Sequence, residues 1–247
     1  MEDFLGGYQD ITANTAVDYT RRVGPFMVVG QGMAETNSGI PKLAAILSGA
    51  VRLTTTGEDV HTIGLETERI FDAALMGTLV AEARVQFANL TTKAMFMGFT
   101  DIEIGSNVPD IQTDIITAAS ATVLTLVASD LVGFYGADAE VTASATEWHG
   151  VYKGGTATGE VTPANINLGT TKNAEITAGE WQVIRVEVDT NGTARWYVNG
   201  DLKQRISGAV STTTNLKFFI GVGAKTSTIA TADIDYIHLR ANRDWTR

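Results

Sequence analysis

The sequence predicts an all-β fold, an antiparallel β-sandwich of the jelly-roll kind, preceded by an irregular N-terminal arm. Three observations carry this expectation. Apolar and polar residues alternate with period two in several short runs. Asn-Gly and other glycine-bearing turns separate those runs. Helical periodicity is nearly absent from a chain of 247 residues with 25 glycines and only 4 prolines. All-β sandwiches of this length form single domains, so the expected division is an arm over residues 1–38 and a sandwich over residues 39–247.

Taken in order, residues 1–38 mix glycines (Gly6, Gly7, Gly24, Gly30, Gly32) with scattered aromatics and the short apolar piece Phe26-Met27-Val28-Val29. Aromatic side chains in an aperiodic terminus suit an arm that docks on a partner, packing on its own domain being the alternative. Its candidate contacts are Phe4, Tyr8, Tyr19, Phe26 and Met27. Pro41 to Ala50, with Leu43 and Leu47 four apart, reads as a short helix or an irregular connection. From Leu79 to Phe87 every odd position is apolar and, from Glu82 onward, every even one is polar, the mark of a strand with one wet face. Thr122 to Ala128 and Leu131 to Tyr135 supply strands in the middle of the chain.

The pattern returns at Val183 to Asp189, where Ile184, Val186 and Val188 form the inner face and Arg185, Glu187 and Asp189 the outer. Asn191-Gly192 then predicts a type I′ hairpin into a strand from Ala194 to Val198, and Asn199-Gly200 a second turn of the same chemistry. Leu216 to Val222 and Ile234 to Leu239 complete the set.

Composition narrows the function classes. Formal net charge is −10, and Arg21-Arg22 is the one adjacent basic pair, so a nucleic-acid partner is not expected. With no cysteine there is neither a disulfide framework nor a thiolate zinc site. The acidic start MEDFLGGYQD lacks the layout of a secretory signal, and no apolar run reaches the length of a membrane span, so synthesis in the cytoplasm without a membrane partner is expected.

Two further stretches carry a resemblance. Gly179-Glu180-Trp181 leading into the alternating strand, the turn at Asn191-Gly192 and Trp196-Tyr197-Val198-Asn199-Gly200 together resemble concanavalin A-like and laminin-G-like sandwiches. There a Trp precedes an x-V-x-V strand, followed by a tight turn and an aromatic-V-N-G strand. Ala232 to Leu239 resembles the last strand of that fold. The pair Phe96-Met97-Gly98-Phe99-Thr100-Asp101 and Asp130-Leu131-Val132-Gly133-Phe134-Tyr135 is similar to one found in tailed-phage virion proteins, including capsid decoration proteins.

That resemblance implies a structural protein of the virion, a decoration (cement) protein on the outer surface of the phage head. It would bind the major capsid protein and copies of itself, as a homotrimer, and stabilise the head without catalysing a reaction. The alternative it leaves is a carbohydrate-binding module of a tail or head fibre, used in host adsorption.

Glucanases on this sandwich carry E-x-D-x-E or E-x-D-x-x-E, because period two sets nucleophile and acid/base on one sheet face. Asp101-Ile102-Glu103 and Asp233-Ile234-Asp235 come nearest, but positions 105 and 237 are Gly and Ile. His61, His149 and His238 are isolated, and neither G-x-S-x-G nor a P-loop occurs. No catalytic residue, metal ligand or cofactor is therefore assigned. Calcium is the one ion the resemblance allows, through Asp138 and Glu140 beside Gly136, or Asp110 and Asp114. Trp148, followed by the glycine-bearing stretch Lys153-Gly154-Gly155-Thr156, is the candidate glycan contact, with core packing as its alternative.

Overall fold

The computed structural model describes residues 22–30, 49–91, 93–102, 111–120, 123–136, 146–157 and 174–242. The strands, in chain order, are β1 (Arg22–Val23), β2 (Phe26–Gly30), β3 (Val51–Thr54), β4 (Thr62–Glu66), β5 (Phe71–Asp72), β6 (Leu79–Gln86), β7 (Lys93–Thr100) and β8 (Ile116–Ser120). They continue with β9 (Val123–Leu126), β10 (Leu131–Gly136), β11 (His149–Lys153), β12 (Gln182–Val188), β13 (Ala194–Val198), β14 (Asp201–Ile206), β15 (Asn215–Ala224) and β16 (Thr231–Arg240). A single π-helical turn, Ile111–Ile115, precedes β8.

Two antiparallel sheets stack face to face. One runs β1-β2-β4-β15-β7-β10-β11, with β5 added against β15, and the other runs β14-β13-β12-β6-β16-β3. The alternating runs read from the sequence lie in the second sheet. Ala81, Ala83, Val85, Ile184, Val186, Val188 and Trp196 point into the space between the sheets and are buried. Glu82, Arg84, Arg185, Glu187 and Tyr197 point the other way. Inner faces of this kind bury apolar area at roughly 25 cal/mol per Å², which holds the layers together.

Two strands come from the stretch assigned to the arm. β2 pairs with β4, matching Met27 to Glu66 and Val29 to Gly64, so the sandwich takes in Arg22–Gly30. Residues 41–48 of the helix expected at Pro41 to Ala50 lie outside the described residues, and Gly49 and Ala50 are not helical. Both hairpins form where Asn-Gly predicts them, with one difference. At Asn199-Gly200 both residues have positive φ, 52° and 88°, in a two-residue turn between Val198 and Asp201. At Asn191-Gly192 only Gly192 is positive, φ 74°, and Gly192 N donates to Asp189 O at 2.9 Å. That loop is longer than a type I′ turn because Asn191 Oδ1 accepts from Thr193 N instead, at 3.0 Å.

The first sheet differs because both of its faces are covered. Met95, Met97, Phe99, Val132 and Phe134 face the second sheet. Phe96, Phe219, Leu131, Tyr135 and Val151 face outward, beneath Ile111, Ile115, Ile116, Leu124 and Leu126 of the π-turn and the β8–β9 hairpin. The molecule therefore has a main core between its sheets and a second one outside the larger sheet. β7 and β10 meet at Gly98 opposite Gly133. A methyl at Gly98 would lie 2.2 Å from Val132 O, so only glycine permits this approach.

Candidate functional site

Pairing in the six-stranded sheet lines up its outward side chains in rows. Tyr197, Arg185, Glu82 and His238 are successive partners across β13, β12, β6 and β16. The next row holds Val183, Arg84 and Tyr236, and the one beyond it Gln86, Asp233 and Arg52. A bulge between Ile234 and Tyr236 turns Asp235 and Tyr236 both to this face.

Ion pairs tie the rows together. Arg84 Nη1 reaches Asp235 Oδ2 at 2.6 Å, and Arg52 holds Asp233 by two bonds of 2.7 and 2.9 Å. Arg185 lies between Glu82, at 3.7 Å, and Glu187. Arg195 grips Asp189 at 2.8 and 2.6 Å, which pulls that carboxyl below its ordinary range.

Aromatic rings sit within the same lattice. The Arg84 guanidinium lies 4.9 Å from the Trp181 ring centre, and that of Arg185 lies 5.6 Å from Tyr197. Tyr236 OH donates to Glu82 Oε1 at 2.8 Å and Tyr197 OH to Glu187 Oε2 at 3.2 Å. Burial first, and the Glu82 carboxylate second, push the Tyr236 hydroxyl up to about 12. Burial and Glu187 raise Tyr197 likewise. Both phenols stay protonated at neutral pH and act as donors. The face offers paired charges, hydroxyl and guanidinium donors and two arginine-backed rings, which are the parts that bind polar, ring-shaped or planar ligands.

The residues singled out in the sequence fall in other places. Trp148 is 0% exposed, packed against Phe87 and Phe134, and its Nε1 donates to Gln182 Oε1 at 3.0 Å. It offers no ring face to a sugar, which corrects its candidacy as a glycan contact. Phe26 is 2% exposed and packs on Phe218 in the main core, so its ring is not presented to a partner, whereas Met27 is half-buried. Phe4, Tyr8 and Tyr19, and Asp110, Asp138, Glu140 and Glu103, lie outside the described residues. Asp114 sits in the π-turn, where Thr113 Oγ1 donates to it at 3.4 Å. Among the described residues no three acidic or histidine side chains converge as metal ligands would.

Trp181, immediately before β12, is the tryptophan that reaches this face, in place of Trp148. It shares the parity of Arg185 and Glu187, and that alternation was the available signal. The two motifs at Phe96 to Asp101 and Asp130 to Tyr135 form a clasp. Asp101 N donates to Asp130 O at 2.9 Å, and Asp130 N to Asp101 Oδ1 at 3.1 Å. The Asp130 carboxylate then accepts from Ser211 N at 3.2 Å and Thr214 Oγ1 at 3.0 Å.

Two other features stand apart from the polar face. A cleft of about 350 Å³ opens between the sheets, lined by Pro25, Phe26, Ile70, Phe71, Ile237 and Leu239, with Arg22 and Glu68 beside them. β3 pairs with β16 only through Thr231–Ile234, so beyond that point the cleft reaches the flank of β16. Ile70 is 56% exposed there. Lys93 is enclosed, its Nζ donating to Thr231 O at 3.0 Å above the Phe87 ring, and burial lowers it to about 8.

No protein-family profile and no curated protein matches the chain. Solved structures do match in fold. A protein of unknown function from Shewanella oneidensis MR-1, SO2946, superposes with a TM-score of 0.54 at 12% identity, covering 92% of this chain and 82% of that one. The carbohydrate recognition domain of Emp46p, in a potassium-bound form, gives 0.53 at 8% identity, covering 93% and 94%. The alginate lyase Aly36B, in complex with an alginate trisaccharide, gives 0.51 at 11% identity, covering 87% and 88%. The fold is thus the concanavalin A-like β-sandwich, as the resemblance implied. The expectation that the chain catalyses no reaction is corrected: an alginate lyase shares the architecture, so the fold gives no ground for excluding catalysis.

Proposed function

We propose that this protein is a structural component of a tailed-phage virion, a decoration protein that attaches to the major capsid protein on the head and associates with copies of itself. The observation that carries this reading is the apolar cleft beside Arg22, with the exposed Ile70 at its mouth. An open apolar cleft is the kind of surface another polypeptide fills with an apolar side chain. The motif pair Phe96 to Asp101 and Asp130 to Tyr135, which resembles one in virion proteins, supports the same reading.

The test uses phage particles that lack the protein and the purified chain added back. Ile70→Glu should lower saturation of the particles at least tenfold while leaving the melting temperature within a few degrees of the parent. Undiminished binding by this variant would remove the cleft from the interface. A truncation of the arm should stop before Arg22, since a cut at residue 38 removes β1, β2 and the core residues Val23, Phe26 and Val28.

A second reading, a carbohydrate-binding module used in host adsorption, is favoured by Trp181. It is the one tryptophan among the described residues that reaches solvent, and it lies on a face rich in hydrogen-bonding groups.

A further inference from the structure

We propose that the outer face of the six-stranded sheet binds a polysaccharide bearing carboxylate groups, with Arg84, Trp181 and Arg185 as its principal contacts. The inference rests on the adsorption reading, whose ligand it names, and is independent of attachment to a particle.

The first support is the supply of donors. Arg84 is 41% exposed and uses Nη1 on Asp235 alone among the described residues, leaving most of its five N–H groups for a ligand. Arg185 is 39% exposed as a side chain, while its Nε is buried and has no hydrogen-bond partner. A small shift of that guanidinium toward an arriving carboxylate would give the donor an acceptor. Guanidinium forks match carboxylates in geometry as well as charge, and a neutral sugar leaves that match unused.

The second support is the placing of the rings. Trp181 immediately precedes β12 and Arg185 lies within it, four residues apart with the same parity, so along extended chain they stand about 13 Å from each other. Each marks an arginine–aromatic stack, Arg84 with Trp181 and Arg185 with Tyr197. The guanidinium behind each ring holds it in place, and a ring so held can stack on the apolar face of a sugar. Two such stacks are spaced for a ligand several units long rather than for a single sugar.

The third support is local charge. The chain as a whole is at −10, which opposes a polyanion at long range. Physiological salt screens that field beyond about 8 Å. On the face itself the four guanidiniums of Arg52, Arg84, Arg185 and Arg195 stand among the five carboxylates of Asp233, Asp235, Glu82, Glu187 and Asp189, so a bound carboxylate has cations beside it although these groups together sum to −1.

The experiment is a calorimetric titration of the purified chain with tetragalacturonate, with its fully methyl-esterified form and with cellotetraose. Saturable binding of tetragalacturonate is expected, weakened at least tenfold by esterification, by Trp181→Ala and by Arg84→Gln. Arg84→Lys keeps the charge but not the fork and should recover only part of the loss, and melting temperatures check that each variant is folded. Equal affinity for the esterified form, or for cellotetraose, would overturn the carboxylate while leaving the adsorption reading in place. Binding of tetragalacturonate unchanged in both Trp181→Ala and Arg84→Gln would overturn the site. No saturable binding to any of the three sugars would overturn the proposal and, with host polysaccharide also inert, the adsorption reading with it.

Discussion

Lys93 shows how one enclosed side chain sets a pH response. Burial lowers its ammonium from 10.5 to about 8. Between those values the unfolded chain holds a proton that the folded chain has released, so stability climbs as pH rises through that window, by on the order of 3 kcal/mol. Tyr236 works in the opposite sense. Its folded value of about 12 lies above the ordinary 10.0, so above pH 10 the unfolded chain loses its proton first and stability falls. Urea denaturation across pH 7 to 11 should show a rise followed by a decline, and Lys93→Met should abolish the rise while Tyr236→Phe makes the decline shallower, Tyr197 supplying the rest. A rise that persists in Lys93→Met would mean that another group titrates. At this scale the sequence was partly legible. Trp196 shares the parity of Ala194 and Val198, which marks it as inward, and it lies in the core, donating from Nε1 to Gly133 O at 2.7 Å. Glycines near Trp148 suggest a loop and leave it between core packing and an exposed contact; core packing holds, because Gly136 and Gly150 make room for rings, that of Trp148 against Gly136 and that of Trp196 against Gly150.

The strands divide into two kinds, and the division explains which were legible. β6 and β12 have one wet face, so alternation exposed them in the sequence with near-correct ends. β7 and β10 are buried on both faces and read as unbroken apolar runs, which periodicity alone does not resolve. What marked β7 was the motif pair alone, β10 being read as a strand from Leu131 to Tyr135 as well, and the pair's acidic ends prove to be fastenings. Asp130 is nearly enclosed and joins the end of β7 to the segment of Ser211 and Thr214. Asp130→Ala should cost about 2–3 kcal/mol in a chemical denaturation curve, because it leaves two donors without their acceptor. Asp130→Asn should fall between that variant and the parent. A loss below 0.5 kcal/mol in the Ala variant would show that the segment holds without its anchor.

For the molecule as a whole, the two stacked sheets were foreseen and the covering on the larger one was not. The π-turn and β8–β9 derive from a stretch with no strong period, and their apolar residues acquire a role only when Phe96, Tyr135 and Phe219 lie beneath them. A two-stranded hairpin is marginal by itself and depends on the surface it covers. Hydrogen exchange should therefore find the β8–β9 amides opening well before those of β6, β12 and β15. Exchange of all these amides at a single rate would mean that the two cores unfold as one. The candidate site divides in the same way. Its arginines and carboxylates were visible as the outer positions of alternating strands, but the rows across strands depend on register, which a single sequence does not state.

The face-to-face glycines at positions 98 and 133 carry a last consequence. Since the space between their backbones is shared, the two positions amount to a single joint with one volume to divide. An alanine at either would wedge β7 from β10 and disturb both layers of packing at once, so neither position can drift while the other stays. Any chain descended from this one should keep or lose the two glycines together, and that pairing is a better tracer of its kin than either motif alone.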